Sequence, residues 1–129
     1  MLWYVVLGSA VGGGARFLLG SFIQHRAGGT FPLGTLLINI TGSFILGFLL
    51  RYATGTTAIS PEVRAMLTTG FCGGYTTFST FSYETAALIE DGDYRRAGFY
   101  IVLSVGFALA GTFLGLGFAR QVLDWRRRL

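Results

Sequence analysis

Between Thr68 and Tyr83 the chain runs Thr68-Thr69-Gly70-Phe71-Cys72-Gly73-Gly74-Tyr75-Thr76-Thr77-Phe78-Ser79-Thr80-Phe81-Ser82-Tyr83, without one charge and with seven Thr and Ser hydroxyls. Hydroxyls are neutral donors that can replace water around a small anion; equally, they bond back to carbonyls of their own helix. Phe78 and Phe81 are three residues apart and share a helix face. Aromatic rings carry electropositive edges, so two edges could hold an anion and exclude water, or the two rings could simply pack. Ser79 and Ser82 form a second pair at the same spacing. The Gly73-Gly74 dipeptide is the expected break in this helix. A break there would leave carbonyls at the end of a first half-helix, a cation site, while Thr76 or Thr77 would cap a second half-helix whose N-terminus favours an anion. The alternative is a packing notch in a continuous helix.

Other polar residues interrupt apolar surroundings. Asn39 is the one carboxamide between Ala27 and Leu50, either a double N–H donor for an anion or half of an interhelical hydrogen bond. Arg16 lies just past the centre of the first apolar stretch, where a charge costs about 2.5–3.5 kcal/mol on insertion scales. It would snorkel to one interface or line a vestibule that attracts anions. Glu84 follows the third stretch and could carry protons or pair with Arg16 or another arginine. Tyr100, Ser104 and Thr112 fall on one helix face at multiples of four, with Ala108 as an apolar gap in that polar track.

These residues need elements that cross a membrane. Leu2–Gln24 (broken only by Arg16), Ala27–Leu50, Ala65–Tyr83 and Ala97–Ala119 are uncharged, and each is close to the ~20 residues that a helix needs to cross hydrocarbon. The expectation is an all-α membrane protein, one domain over residues 1–129, with four transmembrane helices at about 2–24, 32–53, 65–89 and 97–119 and the third broken at mid-membrane. The first span is read as a retained helix and not as a cleaved signal peptide. Both termini then share one side with Arg51, Arg64, Arg120 and Arg126–Arg128, against Arg26, Arg95 and Arg96 on the other. Without the last three arginines the two sides balance. So weak a bias allows either orientation, a route to an antiparallel, dual-topology homodimer, with a fixed termini-inside orientation as the alternative. Four helices have too little interior to wall a water-lined path, so association is expected. Gly8-xxx-Gly12, Gly106-xxx-Ala110 and Gly111-xxx-Gly115 are candidate close contacts.

Composition narrows the function classes. The apolar share is 52% and the charged share 12%, about half of what a soluble domain carries. All ten basic residues are Arg, which removes a P-loop lysine and Schiff-base chemistry. One cysteine, Cys72, and one histidine, His25, leave no zinc cluster. Trp125 with Arg126–Arg128 reads as an interfacial anchor beside anionic lipid, so the basic residues do not indicate nucleic acid. No span supplies a paired base for hydrolysis, and no enzyme is expected. A small proton-coupled transporter using Glu84 is the competing reading; it would want that carboxylate at mid-span.

Gly13-Gly14-Ala15-Arg16, Gly34-Thr35-Leu36-Leu37-Ile38-Asn39 with Gly42 and Gly47, and above all Thr69–Phe81 resemble the fluoride channel family (Fluc/CrcB), over essentially the whole chain and in the same order. The resemblance implies fluoride as the ion, passive export that protects against fluoride toxicity, an antiparallel homodimer with two pores, multi-pass insertion in the plasma (inner) membrane and a central structural sodium (Na+). It places Asn39, Phe78 and Phe81 on the fluoride path and Ser79, Ser82, Tyr100, Ser104 and Thr112 in its polar tracks. It puts Arg16 near the vestibule, and the backbone carbonyls of Gly73 and Thr76 on the sodium. Ala108 departs from the polar residue found there in some relatives.

Overall fold

The uncharged runs fold as helices because a backbone in a non-aqueous environment must satisfy its own N–H and C=O groups. In a computed structural model, which describes residues 1–129, the regular structure is helical throughout. α1 (Leu2–Ala27) ends at Gly28, whose φ of 70° lets its amide turn back to the Gln24 carbonyl at 3.2 Å. Gln24 then ties down the connection, donating to the carbonyls of Gly29 and Phe31 and accepting from the Gly34 amide. α2 (Leu33–Thr54) follows.

The third run is in pieces. α3 (Pro61–Ala65) starts on Ser60, whose hydroxyl accepts from the Val63 amide at 3.2 Å, with Pro61 at its first position. A π-helical segment (Met66–Cys72) leads into the single turn α4 (Gly73–Tyr75). Thr76 and Thr77 are extended, at φ/ψ −85°/157° and −151°/112°, and α5 (Phe78–Glu90) resumes the path. α6 (Tyr94–Arg128) is one 35-residue helix, about 52 Å long at 1.5 Å per residue, and so outruns the expected 97–119 span at both ends. α1, α2 and α6 are long and apolar enough to cross a membrane; α3 to α5 form a fourth, interrupted helical stretch.

Two corrections follow. The third helix is broken, but at Thr76–Thr77 and not at Gly73-Gly74, where Gly73 keeps helical angles of −63°/−37°. The physical reason lies in the neighbours: a Cβ on Gly74 would sit 2.6 Å from the Ser9 carbonyl oxygen, so that glycine lets α1 approach. Two threonines, β-branched and prone to extended backbone, make the break. The π segment is the second departure, since no spacing in the run announces it.

Close backbone contact holds the helices together. At Gly8 and Gly12 a Cβ would lie 2.1 and 2.2 Å from the carbonyl oxygens of Met66 and Phe71, so α1 rests directly on the π segment. At Gly115 it would meet the Phe44 carbonyl oxygen at 2.2 Å, joining α6 to α2. Gly8-xxx-Gly12 and Gly111-xxx-Gly115 thus mark contacts, whereas Gly106 faces open space. Few large side chains are buried; Leu36, Leu88, Ala97 and Tyr100 form the core, and Leu7, Phe17, Leu109 and Phe113 face outward, as lipid-covered residues do.

Candidate functional site

The break dictates the site because it releases backbone groups that something must satisfy. In an unbroken helix the Thr77 amide would bond the Gly73 carbonyl. Instead it donates to Asn39 Oδ1 at 2.8 Å, while Asn39 Nδ2 donates to the Thr77 carbonyl at 3.1 Å. Of the two readings of Asn39, the interhelical bond is therefore realised, from α2 to the break, with one of its two N–H groups left over. Thr77 also caps α5: its hydroxyl accepts from the Thr80 amide at 3.2 Å and donates to Thr80 Oγ1 at 2.9 Å.

On the other side, Arg16 Nε donates to the Gly74 carbonyl at 3.0 Å. Placed by α1 at the last turn before the break, the guanidinium quenches the negative end of that turn. It neither snorkels away nor pairs with Glu84. Arg16 also lines a polar cleft of about 230 Å³ with Gly20, Gln24, Thr35, Thr80 and Glu84. Glu84 is half-buried and accepts from the Tyr100 hydroxyl at 3.1 Å.

A second cleft, of about 270 Å³, opens where α2, the break, α5 and α6 meet. Asn39, Phe78, Phe81, Ser104 and Ala108 line it together. The Phe rings lie 5.6 Å apart at 50°, tilted and not stacked. Phe78 is 78% exposed, whereas Phe81 leans on Tyr100 at 5.1 Å. Ser104 is only 7% exposed, and its hydroxyl oxygen is buried with no hydrogen-bond partner. A buried hydroxyl without a partner is costly, and this one belongs to a residue of the cleft wall.

The remaining track residues do not join that cleft. Tyr100 is fully buried between Phe31 and Phe81 and spends its hydroxyl on Glu84. Thr112 donates to the Ala108 carbonyl at 3.1 Å, the back-bonding alternative. Ser79 and Ser82 are exposed on α5, Ser79 lying 3.4 Å from the Thr77 hydroxyl. Sequence reading overlooked Ser43 in the cleft wall, beside Gly42 and Thr76; its spacing four residues after Asn39, one helical turn, was the available signal. It also overlooked the hydroxyl pair of Thr41 and Tyr75 at 2.8 Å, which ties α2 to the turn before the break.

The Thr76 carbonyl accepts no hydrogen bond across the break, and the Gly73 carbonyl has lost the Thr77 amide. A Cβ on Gly73 would meet nothing within 4 Å. Two carbonyls are thus freed at the break, and carbonyl oxygens are donors that a hard cation prefers.

A family model described as CrcB-like protein, Camphor Resistance (CrcB), matches residues 3–116. A protein of Geobacter sulfurreducens named fluoride-specific ion channel FluC is 48% identical over 113 residues, 88% of this chain and 91% of its own length. Proteins of the same name from Roseiflexus sp. and Rhizobium meliloti are 42% and 45% identical over 116 residues, each covering 90% of this chain and 94% and 93% of their own. These relatives are named as channels and not as enzymes. With a broken third passage, a polar cleft at the break and a match of this extent, the chain belongs to the CrcB-like family.

Proposed function

We propose that this chain forms a passive, fluoride-selective channel. The observation that carries the reading is Ser104, which lines the cleft with Asn39, Phe78 and Phe81 and whose buried hydroxyl has no partner within the chain. Fluoride holds its water strongly, so a path for it must offer neutral donors without binding it so tightly that it cannot leave. Ser104 supplies a free O–H, Asn39 its second N–H, and the Phe pair electropositive edges. Ala108, Val105 and Leu46 keep the rest of the cleft apolar. The names of the relatives support fluoride as the ion.

Two antiparallel copies, inserted in the plasma membrane, complete the path, with Ser79, Ser82 and Phe78 on the exposed α5 face turned toward the partner. The freed carbonyls of Gly73 and Thr76 fit a structural sodium shared by both copies. Bound there, the ion would neutralise two backbone dipoles that neither chain satisfies alone. Export down the electrochemical gradient needs no energy source and would protect a cell from fluoride that enters as HF.

Purified protein in liposomes should release fluoride down its gradient, read by a fluoride electrode, with little chloride release and no need of a proton gradient. Phe78→Ile and Phe81→Ile should each slow that release. Chloride release at a comparable rate would remove selectivity, and strict dependence on a proton gradient would favour the transporter reading.

A further inference from the structure

The strongest feature outside the break lies at the other end of the α2–α6 contact. Arg51, Thr54 and Gly55 at the end of α2 face Arg120, Asp124 and Arg127 of α6 across a cleft of about 260 Å³. Three arginines against one aspartate leave it at +2. Asp124 is engaged by Arg127 at 3.9 Å, whereas no carboxylate pairs with Arg51 or Arg120. The Thr54 hydroxyl is turned back on the Leu50 and Arg51 carbonyls, so the donors left to a ligand are guanidinium N–H groups.

We infer that this cleft binds the phosphate of an anionic phospholipid headgroup. The depth argument comes from the sequence. Arg51 is the first charge after the uncharged run Ala27–Leu50, and Arg120 the first after Ala97–Ala119. Two runs that each cross the hydrocarbon end at the same cleft, which puts it at headgroup level. Guanidinium forks match phosphate oxygens in pairs, which a lone ammonium cannot do, and basic clefts between membrane helices suit anionic headgroups. Phe113 lies on the same α6 face as Arg120, two turns toward the membrane interior, and is exposed; an acyl chain leaving the headgroup would cover it. Of the cleft's three arginines only Arg127 comes from the basic terminal run, whose Arg126 is occupied with the Tyr52 hydroxyl and ring. The inference rests on α2 and α6 crossing a membrane and is independent of fluoride conduction.

Native mass spectrometry of the full chain in detergent tests it, with phosphatidylglycerol, phosphatidylcholine and inorganic phosphate offered separately and in competition. Phosphatidylglycerol should be retained in preference to phosphatidylcholine, and Arg51→Gln with Arg120→Gln should cut that retention about tenfold or more. Arg64→Gln with Arg95→Gln removes as much charge elsewhere and should leave retention unchanged. Arg120→Gln alone, a change on an exposed helix face, should give an intermediate loss and serves if the double variant folds poorly. Equal retention of both lipids, unchanged retention in the Arg51/Arg120 variants, or an equal loss in the control pair would overturn the assignment. Displacement of the lipid by inorganic phosphate at equal concentration would overturn it too, identifying a free anion as the ligand.

Discussion

Asn39 and Thr77 are joined by two antiparallel hydrogen bonds, the side-chain amide of one copying the backbone of the other at 2.8 and 3.1 Å. The carboxamide does for the break what a neighbouring helical turn would do for an intact helix. Asn39→Ala strips a partner from both the Thr77 amide and its carbonyl, and unpaired buried backbone groups cost about 1–3 kcal/mol each. Thermal unfolding in detergent should show a lowered midpoint, and fluoride release should be largely lost. Asn39→Asp keeps the acceptor for the Thr77 amide, so it should recover part of the stability while a fixed negative charge still blocks release. Two variants with equal midpoints would show that the bond pair does not hold the break.

Arg16 tests the other flank. Its bond to the Gly74 carbonyl needs a side-chain donor at that place, and a charge-assisted bond is worth about 1.5–3 kcal/mol. Arg16→Gln should lower the unfolding midpoint and slow release. Arg16→Lys, which keeps the charge but not the planar fork, should fall between. If Lys restored both readouts fully, a charged donor would suffice and the planar fork would contribute nothing.

The glycine contacts make a sharp pair of expectations. Gly12→Val and Gly115→Val each drive a side chain into a carbonyl oxygen of the neighbouring segment, an overpacking that costs about 1–3 kcal/mol or more. Both should yield little monodisperse protein by size-exclusion chromatography. Gly106→Val meets open space and should purify like the parent. Similar yields from all three would mean that the close approach of α1 and α6 is not what holds the bundle.

These contrasts show how far the sequence could be read. Three membrane-length helices and a fourth, interrupted helical stretch were legible because long charge-free runs leave few alternatives. That Asn39, Phe78 and Phe81 share one path was implied by the family resemblance, while their residue types alone left packing and interhelical hydrogen bonding equally open; the place of Ser104 beside them and not with Tyr100 and Thr112 shows only in the fold. The position of the break was not legible, because two glycines look more pliable than two threonines. Which of them bends depends on α1, whose Ser9 carbonyl needs the room that Gly74 gives. Partners such as Tyr100 for Glu84 were equally hidden: a hydrogen bond across 16 residues follows from how α5 and α6 dock, and helical periodicity carries no information about that. The π segment belongs with these, since its wide turns show only in the backbone.

Phe78 and Phe81 should separate stability from transport. Phe81 leans on Tyr100 at 5.1 Å, an aromatic contact worth about 0.5–1.5 kcal/mol beyond its buried area, whereas Phe78 is almost free of the chain's own core. Phe81→Ile should therefore lower the unfolding midpoint as well as fluoride release. Phe78→Ile should lower release with a smaller effect on the midpoint. A midpoint loss in Phe78→Ile equal to that in Phe81→Ile would point to a packed role for both rings in the assembled channel.

Ser104 gives the test in which the two roles of a residue pull in opposite directions. Its hydroxyl oxygen is buried and bonds to nothing in the chain, so folding leaves that group's hydration unreplaced, a loss of about 1–3 kcal/mol. Ser104→Ala removes the group and almost none of the packing, and the unfolding midpoint should stay level or rise. If the hydroxyl is kept for an ion that sheds its water in the cleft, the same variant should release fluoride more slowly than the parent. Ser104→Thr retains a donor at the cost of one methyl and should keep more of the flux than Ala does. A structural serine would behave the other way, with stability falling on substitution by Ala and fluoride release following it down. A rise in stability with loss of release is therefore the signature of a hydroxyl reserved for the ion.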